Sequence, residues 1–323
     1  MFPGQGAQYV GMGKDIYEKY EEAKQVYERA SEISGIDIPK LCFEGIRSSY
    51  SGEYVKSSIE QSGNDLNKTE NTQIAIAVMS LSIIEVLKKN HIKPDISVGL
   101  SLGEYSALIN AGYLDFDDGI KLLQSRGYLM QNMTPKEEFA MAAVIGLESS
   151  KIEKVCEEIC EKGLFVVPAN YNYSNQTAIS GNKDAVNKAM EKLKEIGAKK
   201  VIKLNTSGPF HTSKLEKAKD EYIKKLEKIK FRKGNSKVIK NIDGKFYKDT
   251  DNMVQILANH IISPVRFDKS IKLMKDENID LYIEIGPGKV LSGFVKKENK
   301  EANVVNISDV ETLEKVINMK GGK

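Results

Sequence analysis

The stretch VGLSLGEY, residues 98–105, places Ser101 between two glycines in G-x-S-x-G spacing. The apolar run 96–99 predicts a β-strand, and the pattern of residues 102–110 predicts a helix. A tight turn with small flanking residues between a strand and a helix exposes a serine hydroxyl, which is typical of a nucleophile elbow. We therefore predict that Ser101 is a nucleophile and that the next amide, that of Leu102, faces a developing oxyanion. An ordinary serine in a turn is the alternative, because this short pattern also arises by chance.

Helices and strands alternate through the first part of the chain and again through its last third. Helical periodicity marks residues 17–33, 72–90 and 116–133. After the Pro/Gly loop 206–211 come a helix, the strand 236–242, a helix, the strand 281–286 and a short C-terminal strand and helix. This alternation predicts a parallel sheet with helices on both faces, built from residues 1–136 and 205–323.

A different order of elements interrupts this pattern at residues 137–204. The predicted order is strand, helix, strand, strand, helix, strand, at residues 139–147, 149–163, 164–170, 176–180, 183–197 and 199–205. A β-α-β-β-α-β order is the ferredoxin-like signature and is compact enough to form a subdomain. We therefore predict an α/β protein with a large parallel-sheet subdomain and an inserted ferredoxin-like small subdomain.

Composition places the 323-residue chain among ordinary globular proteins, with 41% hydrophobic and 29% charged residues. Its 48 basic residues are interleaved with 45 acidic ones, which argues against a nucleic-acid binder but suits a transient acidic partner. The N-terminal sequence MFPGQGAQYV lacks the regions of a signal peptide, and we expect no segment long and apolar enough to span a membrane. The resulting prediction is a cytoplasmic protein.

The three cysteines, Cys42, Cys156 and Cys160, match no redox or metal-binding pattern. Cys156 and Cys160 are four residues apart on a predicted helix, which is not the C-x-x-C spacing of a redox pair. We interpret all three as structural thiols in a reducing compartment, and we predict no metal site.

A serine nucleophile needs a base, and the chain has three histidines to supply it. His91 precedes the strand that ends at Ser101, so it lies at the opposite end of that strand and is excluded. His211 lies in the loop that leaves the small subdomain, and His260 lies near the end of a predicted helix. By position His211 is the better base, while a hydrogen-bonded structural histidine is the alternative for either.

Arg126 is the single charged residue between positions 122 and 133, in LLQSRGYLMQNM. An arginine alone in an apolar helix is expected to be partly buried, and a buried guanidinium requires an anion. The sequence leaves two interpretations open, a structural salt bridge to an internal carboxylate and a bidentate clamp for a substrate carboxylate.

Two glycine-rich segments are candidates for loops near the site. FPGQG, residues 2–6, is either a plain turn or a second source of an oxyanion amide. The cluster around Gly286 and Gly288 follows a strand and opens a helix but has no G-K-[ST], so we interpret it as a structural turn.

Nine ordered blocks, running through essentially the whole chain, resemble the malonyl-CoA:acyl carrier protein transacylase family. They are FPGQGAQ (2–8), TQIAIAV (72–78), GLSLGEYSAL (99–108), SRGYLMQ (125–131), MAAVIGL (141–147), ANYNYSNQTAISG (169–181), GPFH (208–211), SPVRF (263–267) and EIGPGKVLSG (284–293). The resemblance implies an α/β-hydrolase-like large subdomain with an inserted ferredoxin-like small one, in agreement with the division above.

The same resemblance implies a role for each site residue. Ser101 becomes the acyl-accepting nucleophile and His211 its general base, with the Gln5 and Leu102 amides as the oxyanion hole. Arg126 would grip the malonyl carboxylate, and Gln73 and Met130 would line the site. The backbone carbonyl of His260 would orient the catalytic histidine. Phe210, ahead of that histidine, is similar to the residue found in malonyl-preferring members of the family.

This chain departs from the family pattern in three places. Leu100 stands where the family usually has a histidine before the nucleophile, which changes the edge of the pocket. His260 stands where a glutamine is common, so the orienting carbonyl can persist and a second imidazole comes near the site. Family members also usually begin a few residues before Met1, so we expect a shortened central strand.

The implied reaction is a ping-pong transfer from malonyl-CoA to the phosphopantetheine thiol of acyl carrier protein, by a monomer without a metal or bound redox cofactor. Three alternatives stay open. They are an esterase or thioesterase on the same elbow, a trans-acting acyltransferase of polyketide synthesis, and a catalytically inactive acyl-CoA-binding paralogue.

Overall fold

The computed structural model describes residues 1–52, 65–206 and 208–321, which include every predicted site residue. Position 207 of the predicted loop 206–211 lies outside the described residues. The first part of the chain is helical apart from one short strand: α1 (Lys14–Lys19), α2 (Glu21–Ser34), α3 (Ile38–Glu44), a 3₁₀ turn (Asp65–Asn67), α4 (Thr69–Lys89), β1 (Ile96–Ser97), α5 (Gly103–Asn110) and α6 (Phe116–Asn132).

The single helix predicted for residues 17–33 is two helices. Tyr20 between α1 and α2 has an extended backbone, with φ −116° and ψ 118°, so it ends one helix and begins the next. The break lets each helix turn its own apolar residues to the core, Ile16 and Tyr17 from α1 and Ala23, Val26, Tyr27 and Ala30 from α2. Periodicity alone does not reveal such a break, because both helices continue the same apolar rhythm.

Helix α4 corrects the expectation that no segment is long and apolar enough to cross a membrane. Its 21 residues pass that test by length and composition. However, 89% of its most apolar window is buried inside the protein, because α4 packs against α2, α5 and α6. A helix that is apolar all round and buried on every side is a core helix.

The middle of the chain forms an antiparallel sheet with two helices. Its elements are β2 (Phe139–Ile145), α7 (Ser149–Cys160), β3 (Val166–Tyr173), β4 (Gln176–Asn182), α8 (Lys183–Glu195) and β5 (Lys200–Lys203). The strand order β5-β2-β4-β3 and a separate apolar cluster under α7 and α8 are those of a ferredoxin-like unit. The sequence predicted this element order, and the boundaries at 136/137 and 204/205 stay predictions.

The last third returns to alternating elements. They are α9 (Glu216–Leu226), β6 (Lys237–Val238), α10 (Met253–Ile262), β7 (Val265–Arg266), α11 (Phe267–Asp276), β8 (Tyr282–Ile285), α12 (Val290–Glu298), β9 (Val304–Ile307) and α13 (Val310–Gly321). The sequence predicted one helix between β6 and β8, where the structure has α10 and α11. The short β7 between them pairs in parallel with β3, so it joins the small sheet to the large unit.

The parallel sheet of the large unit is held together by the first two residues. Strand β1 pairs in parallel with β6, and β8 pairs in parallel with β9. Phe2 exchanges backbone hydrogen bonds with Val98 and Leu100 beyond β1, while the Met1 backbone bonds Ile283 and Ile285 of β8. The resulting order is β6, β1, residues 1–2, β8, β9. The central segment is short, but its backbone hydrogen bonds join the β6–β1 pair to the β8–β9 pair. The predicted α/β fold is confirmed.

Candidate active site

The turn between β1 and α5 is a strained elbow that requires both of its glycines. Ser101 has a left-handed backbone with φ +55°, which projects its side chain out of the turn. A Cβ on Gly99 would lie 1.9 Å from the carbonyl carbon of Gly103, and a Cβ on Gly103 would lie 2.3 Å from the carbonyl oxygen of Phe2. Because these neighbours are backbone atoms that cannot move aside, the G-x-S-x-G spacing follows from close packing.

Ser101 and His211 form a hydrogen-bonded pair. The Ser101 Oγ lies 2.8 Å from His211 Nε2, and His211 Nδ1 lies 3.0 Å from the backbone oxygen of His260. Because a carbonyl only accepts, this network assigns the proton of the neutral ring to Nδ1 and leaves Nε2 as the acceptor for the serine hydroxyl. Burial, reinforced by the nearby Arg126 charge, lowers the pKa of His211 to about 3. The imidazole is therefore neutral at pH 7 and able to take a proton.

Arg126 is fully buried and reaches the same serine. Its Nη1 donates to Gln73 Oε1 at 2.6 Å, its Nη2 donates to Ser101 Oγ at 3.2 Å, and its guanidinium lies 5.6 Å from the centre of the Tyr105 ring. Within residues 1–52, 65–206 and 208–321, no carboxylate lies within ion-pair distance of Arg126, and its Nε makes no hydrogen bond. The structural salt bridge is thus not found among the described residues. The buried guanidinium of Arg126 is therefore able to pair with the anionic group of a ligand.

Of the two amides predicted as the oxyanion hole, that of Leu102 belongs to the elbow and that of Gln5 belongs to the FPGQG loop beside it. Gln5 and Leu102 both line the cavity at Ser101, and neither amide donates a hydrogen bond to another described residue. The FPGQG loop is close enough that a Cβ on Gly4 would lie 2.8 Å from the Leu100 oxygen. Free amides on two adjacent backbone segments are the donors that a tetrahedral oxyanion needs.

One cavity of about 510 Å³ brings together the predicted site residues other than His260. Leu100 and Phe210 lie in its wall, and Met130 lies beside Gln73, with the Gln73 Nε2 3.6 Å from the methionine sulfur. The ferredoxin-like sheet lines one side of the cavity with polar and small or flexible apolar residues, and α12 lines another side with apolar ones. The lining residues are Met141, Ala143, Asn170, Asn172, Gln176 and Ala178 from the sheet, and Val290, Leu291 and Phe294 from the helix.

The other two histidines fall outside this cavity. His91 is exposed at the far end of β1, as predicted. His260 is fully buried behind His211, with the two ring centres 5.3 Å apart. Its carbonyl accepts the His211 hydrogen bond as the family resemblance implies, while its ring contacts the buried carboxyl of Glu104, with Nδ1 3.1 Å from Oε2.

Sequence reasoning missed a buried network beneath the elbow. The Asn241 side chain accepts from the Ser101 amide at 2.7 Å and donates to the Gly99 carbonyl at 2.7 Å. Glu104 accepts from the Tyr247 hydroxyl at 2.6 Å and from the Asn241 amide at 3.3 Å. The sequence offered one indication of Asn241, because this residue comes shortly after β6 as Ser101 comes shortly after β1. Strands β1 and β6 are parallel neighbours, so both residues lie at the same edge of the sheet.

The glycine cluster after β8 is a structural turn. Gly286 and Gly288 have φ of +130° and +79°. The carboxylate of Glu284 accepts from the Leu291 and Ser292 amides at the N-terminus of α12, so it occupies the place where a phosphate would bind. The three cysteines are free thiols, and the described residues contain no cluster of metal ligands.

Comparison with known proteins agrees with this geometry. The acyl transferase domain family matches residues 1–320. The malonyl CoA-acyl carrier protein transacylase of Bacillus subtilis is 37% identical over 98% of this chain and 95% of its own length. The crystal structure of malonyl CoA-acyl carrier protein transacylase from Clostridium perfringens is similar, with 41% identity, a TM-score of 0.89 and coverage of 99% and 96% of the two chains.

A third similar structure is a complex. It holds a type II polyketide synthase acyl carrier protein with its malonyl-transacylase, which is 32% identical to this chain with a TM-score of 0.89 and covers 98% of each chain. Full-length similarity to these proteins, together with the elbow and the Ser101–His211 pair, leads to one conclusion. The chain belongs to the acyl transferase domain family.

Proposed function

We propose that this protein transfers the malonyl group of malonyl-CoA to the phosphopantetheine thiol of acyl carrier protein, as an acyl-carrier-protein S-malonyltransferase. The names of its relatives support the reaction. The observation that carries the acyl class is Arg126, a buried guanidinium 3.2 Å from the proposed nucleophile that lacks a carboxylate partner among the described residues. A malonyl carboxylate would supply the missing anion when the thioester carbonyl of malonyl-CoA lies at Ser101 Oγ.

In the first half-reaction, His211 Nε2 takes the proton of Ser101 as Oγ attacks the thioester carbon. The negative charge on the tetrahedral oxygen is stabilised by the amides of Gln5 and Leu102. The carbon–sulfur bond then breaks, and the imidazolium returns its proton to the sulfur of coenzyme A. The product is a malonyl-serine ester and free coenzyme A.

In the second half-reaction, the thiol of the phosphopantetheine arm occupies the place that coenzyme A has left. His211 takes the thiol proton, the sulfur attacks the ester carbon, and the same two amides again hold the oxyanion. The bond to Ser101 Oγ breaks and the imidazolium protonates the serine oxygen. The enzyme returns to its starting state with the malonyl group on the carrier.

Selectivity for malonyl follows from the same buried cation. A bound acetyl group cannot pair with Arg126, so the site penalises it by the cost of an unpaired guanidinium. Gln73 holds Nη1 of Arg126 in the free protein and contacts Met130, which keeps the guanidinium in place. Phe210 in the cavity wall limits the room for a substituent on the malonyl α-carbon.

The hydrolase alternative is disfavoured by the surroundings of His211. An esterase triad needs a carboxylate on Nδ1, whereas here that atom donates to the backbone oxygen of His260. The inactive paralogue is disfavoured by the 2.8 Å contact between the serine oxygen and the imidazole. Which carrier is served stays open between fatty-acid and polyketide synthesis, since one similar structure contains a polyketide carrier. A monomeric state stays a prediction from the family resemblance, and a cytoplasmic location stays a prediction from the N-terminal sequence and composition.

The test is transfer to purified phosphopantetheinylated carrier, followed by the intact mass of the carrier. Malonyl-CoA with the wild-type protein should add one malonyl group to the carrier, and Ser101→Ala should add none. Acetyl-CoA in a parallel reaction should transfer poorly. Release of coenzyme A and malonate without a change in carrier mass would instead establish a hydrolase, and equal transfer by Ser101→Ala would refute the proposed nucleophile.

A further inference from the structure

A buried glutamate and a buried histidine meet on the Nδ1 side of His211, outside the substrate cavity. Glu104 is in the first turn of α5 and His260 is in the last turn of α10, and both side chains are completely enclosed. The Glu104 Oε2 and His260 Nδ1 atoms lie 3.1 Å apart. Despite this approach, neither atom makes a hydrogen bond within the described residues, nor does His260 Nε2. Two enclosed titratable groups in contact, each with a buried polar atom that lacks a hydrogen bond, require an explanation.

Glu104 is connected to the nucleophile through Asn241. Its other oxygen, Oε1, accepts from the backbone amide of Asn241 at 3.3 Å. The side chain of Asn241 in turn bonds the Ser101 amide and the Gly99 carbonyl, each at 2.7 Å. The position of the carboxyl group therefore sets the position of the strained elbow.

His260 is connected to the base in two ways. Its backbone oxygen accepts from His211 Nδ1 at 3.0 Å, and its ring lies against the His211 ring at 5.3 Å with a 31° tilt. A shift of the His260 side chain therefore moves the surface on which the catalytic imidazole rests. His211 itself has a left-handed backbone with φ +59°, so its loop relies on such contacts to hold the ring.

We propose that Glu104 and His260 act together as a positioning pair, which joins the nucleophile elbow to the imidazole base and fixes their spacing. The inference rests on the proposed Ser101–His211 mechanism, but not on the identity of the acyl group. Neither member touches the substrate cavity, so each acts through a neighbour, Glu104 through Asn241 and His260 through His211.

Charge gives the pair a second property that an experiment can detect. Burial raises the pKa of Glu104 to about 7 against the opposing hydrogen bonds from Tyr247 and Asn241 and the Arg126 charge. Burial also lowers the pKa of His260 well below its usual value, helped by the charge of Arg126. Near neutrality the pair is thus a carboxyl group that is partly protonated beside a neutral imidazole.

The groups that face Glu104 from the surrounding elements are Tyr247, His260, Arg126 and, at longer range, Asp243. Of these, Asp243 raises the pKa of the carboxyl group, while Arg126 lowers it. Ionised Glu104 places negative charge behind the His260 ring, on the side of His211 on which the imidazolium forms during attack. Nucleophilic reactivity of Ser101 should therefore rise as pH increases through about 7.

The test measures the reaction of Ser101 with a fluorophosphonate, which needs the serine and its base but no malonyl group. In that reaction a bond forms between Oγ and phosphorus, fluoride leaves, and His211 takes the hydroxyl proton. Rates are measured by intact mass from pH 5.5 to 8.5 for wild type, Glu104→Gln, His260→Gln and the double variant. The control, Asp37→Asn, changes a buried carboxyl group that caps α3 and does not line the cavity. Thermal midpoints are recorded for every protein.

We expect each single variant to react about tenfold more slowly than wild type at pH 8, and the double variant to be no slower than the worse single one. Glu104→Gln should also lose the rise in rate around pH 7, and Asp37→Asn should match wild type. Wild-type rates in the single variants, or losses that multiply in the double variant, would overturn the positioning pair. If Glu104→Gln does not fold, His260→Gln carries the test, since it keeps the backbone carbonyl and buries no new charge.

Malonyl transfer by the wild type is measured alongside. If the variants react slowly with the fluorophosphonate as expected but the wild type does not transfer malonyl, the proposed function is overturned and the positioning pair is supported. A protein that transfers malonyl but shows unchanged fluorophosphonate rates in the variants overturns the positioning pair alone.

Discussion

Replacing Arg126 with methionine should convert a malonyl-selective site into one that barely distinguishes malonyl from acetyl. The side chain is fully buried and its Nη2 lies 3.2 Å from Ser101 Oγ, so a malonyl carboxylate on the nucleophile is within its reach. A bidentate contact provides two charge-assisted hydrogen bonds of about 1.5–3 kcal/mol each, or about 3–6 kcal/mol together. At 1.4 kcal/mol per tenfold, kcat/KM for malonyl-CoA should fall by about 10²–10⁴.

The assay is single-turnover acylation of Ser101 by malonyl-CoA and by acetyl-CoA, with the ratio of the two rates as the readout. The ratio is needed because Arg126 also donates to the serine oxygen, so its loss slows both reactions. Arg29→Met is the matched control, since Arg29 is an exposed arginine that pairs with Asp117 and Glu32. A malonyl-to-acetyl ratio that changes less than about threefold would refute the assignment of Arg126 to the carboxylate.

Three further predictions concern the base, the histidine behind it and the elbow. His211→Ala should slow acylation of Ser101 by about 10²–10⁴-fold, measured as the rate of coenzyme A release, because the general base is removed while the cavity stays intact. The pKa of His260 lies well below the value of 6.5 for an unfolded chain, so the unfolded state gains a proton first as pH falls. The free energy of unfolding of wild type, measured in urea, should therefore drop relative to that of His260→Gln below pH 6.5, by about 2 kcal/mol at pH 5. The same pH dependence in both proteins would contradict a neutral buried imidazole. Gly103→Ala should destabilise the fold by about 3 kcal/mol in the same assay, since its Cβ would lie 2.3 Å from the Phe2 oxygen, whereas a neutral effect would mean that the elbow can relax.

Local sequence rules predicted the parts of the site that lie within one turn or one helix. The spacing of Gly99, Ser101 and Gly103 predicted the elbow because its chemistry is local, and the isolation of Arg126 in an apolar helix predicted a buried cation. The element order of residues 139–203 was enough to predict the ferredoxin-like sheet.

What the sequence did not reveal depends on pairing between distant segments. Asn241 and Glu104 are 137 residues apart and meet because β6 lies beside β1, a register that periodicity does not encode. The break at Tyr20 was missed because two consecutive amphipathic helices have the same apolar period as one. Helix α4 was not predicted as a possible membrane span, because polar residues are spaced among its apolar ones. Its burial in the structure identifies it as a core helix.

The most direct test of the central claim is the mass of the protein after brief mixing with malonyl-CoA in the absence of any carrier. The mechanism predicts one malonyl adduct per chain, localised to Ser101 by peptide mapping and discharged when phosphopantetheinylated carrier is added. An adduct on another residue, or transfer to the carrier without any enzyme-bound malonyl group, would contradict the serine-ester intermediate.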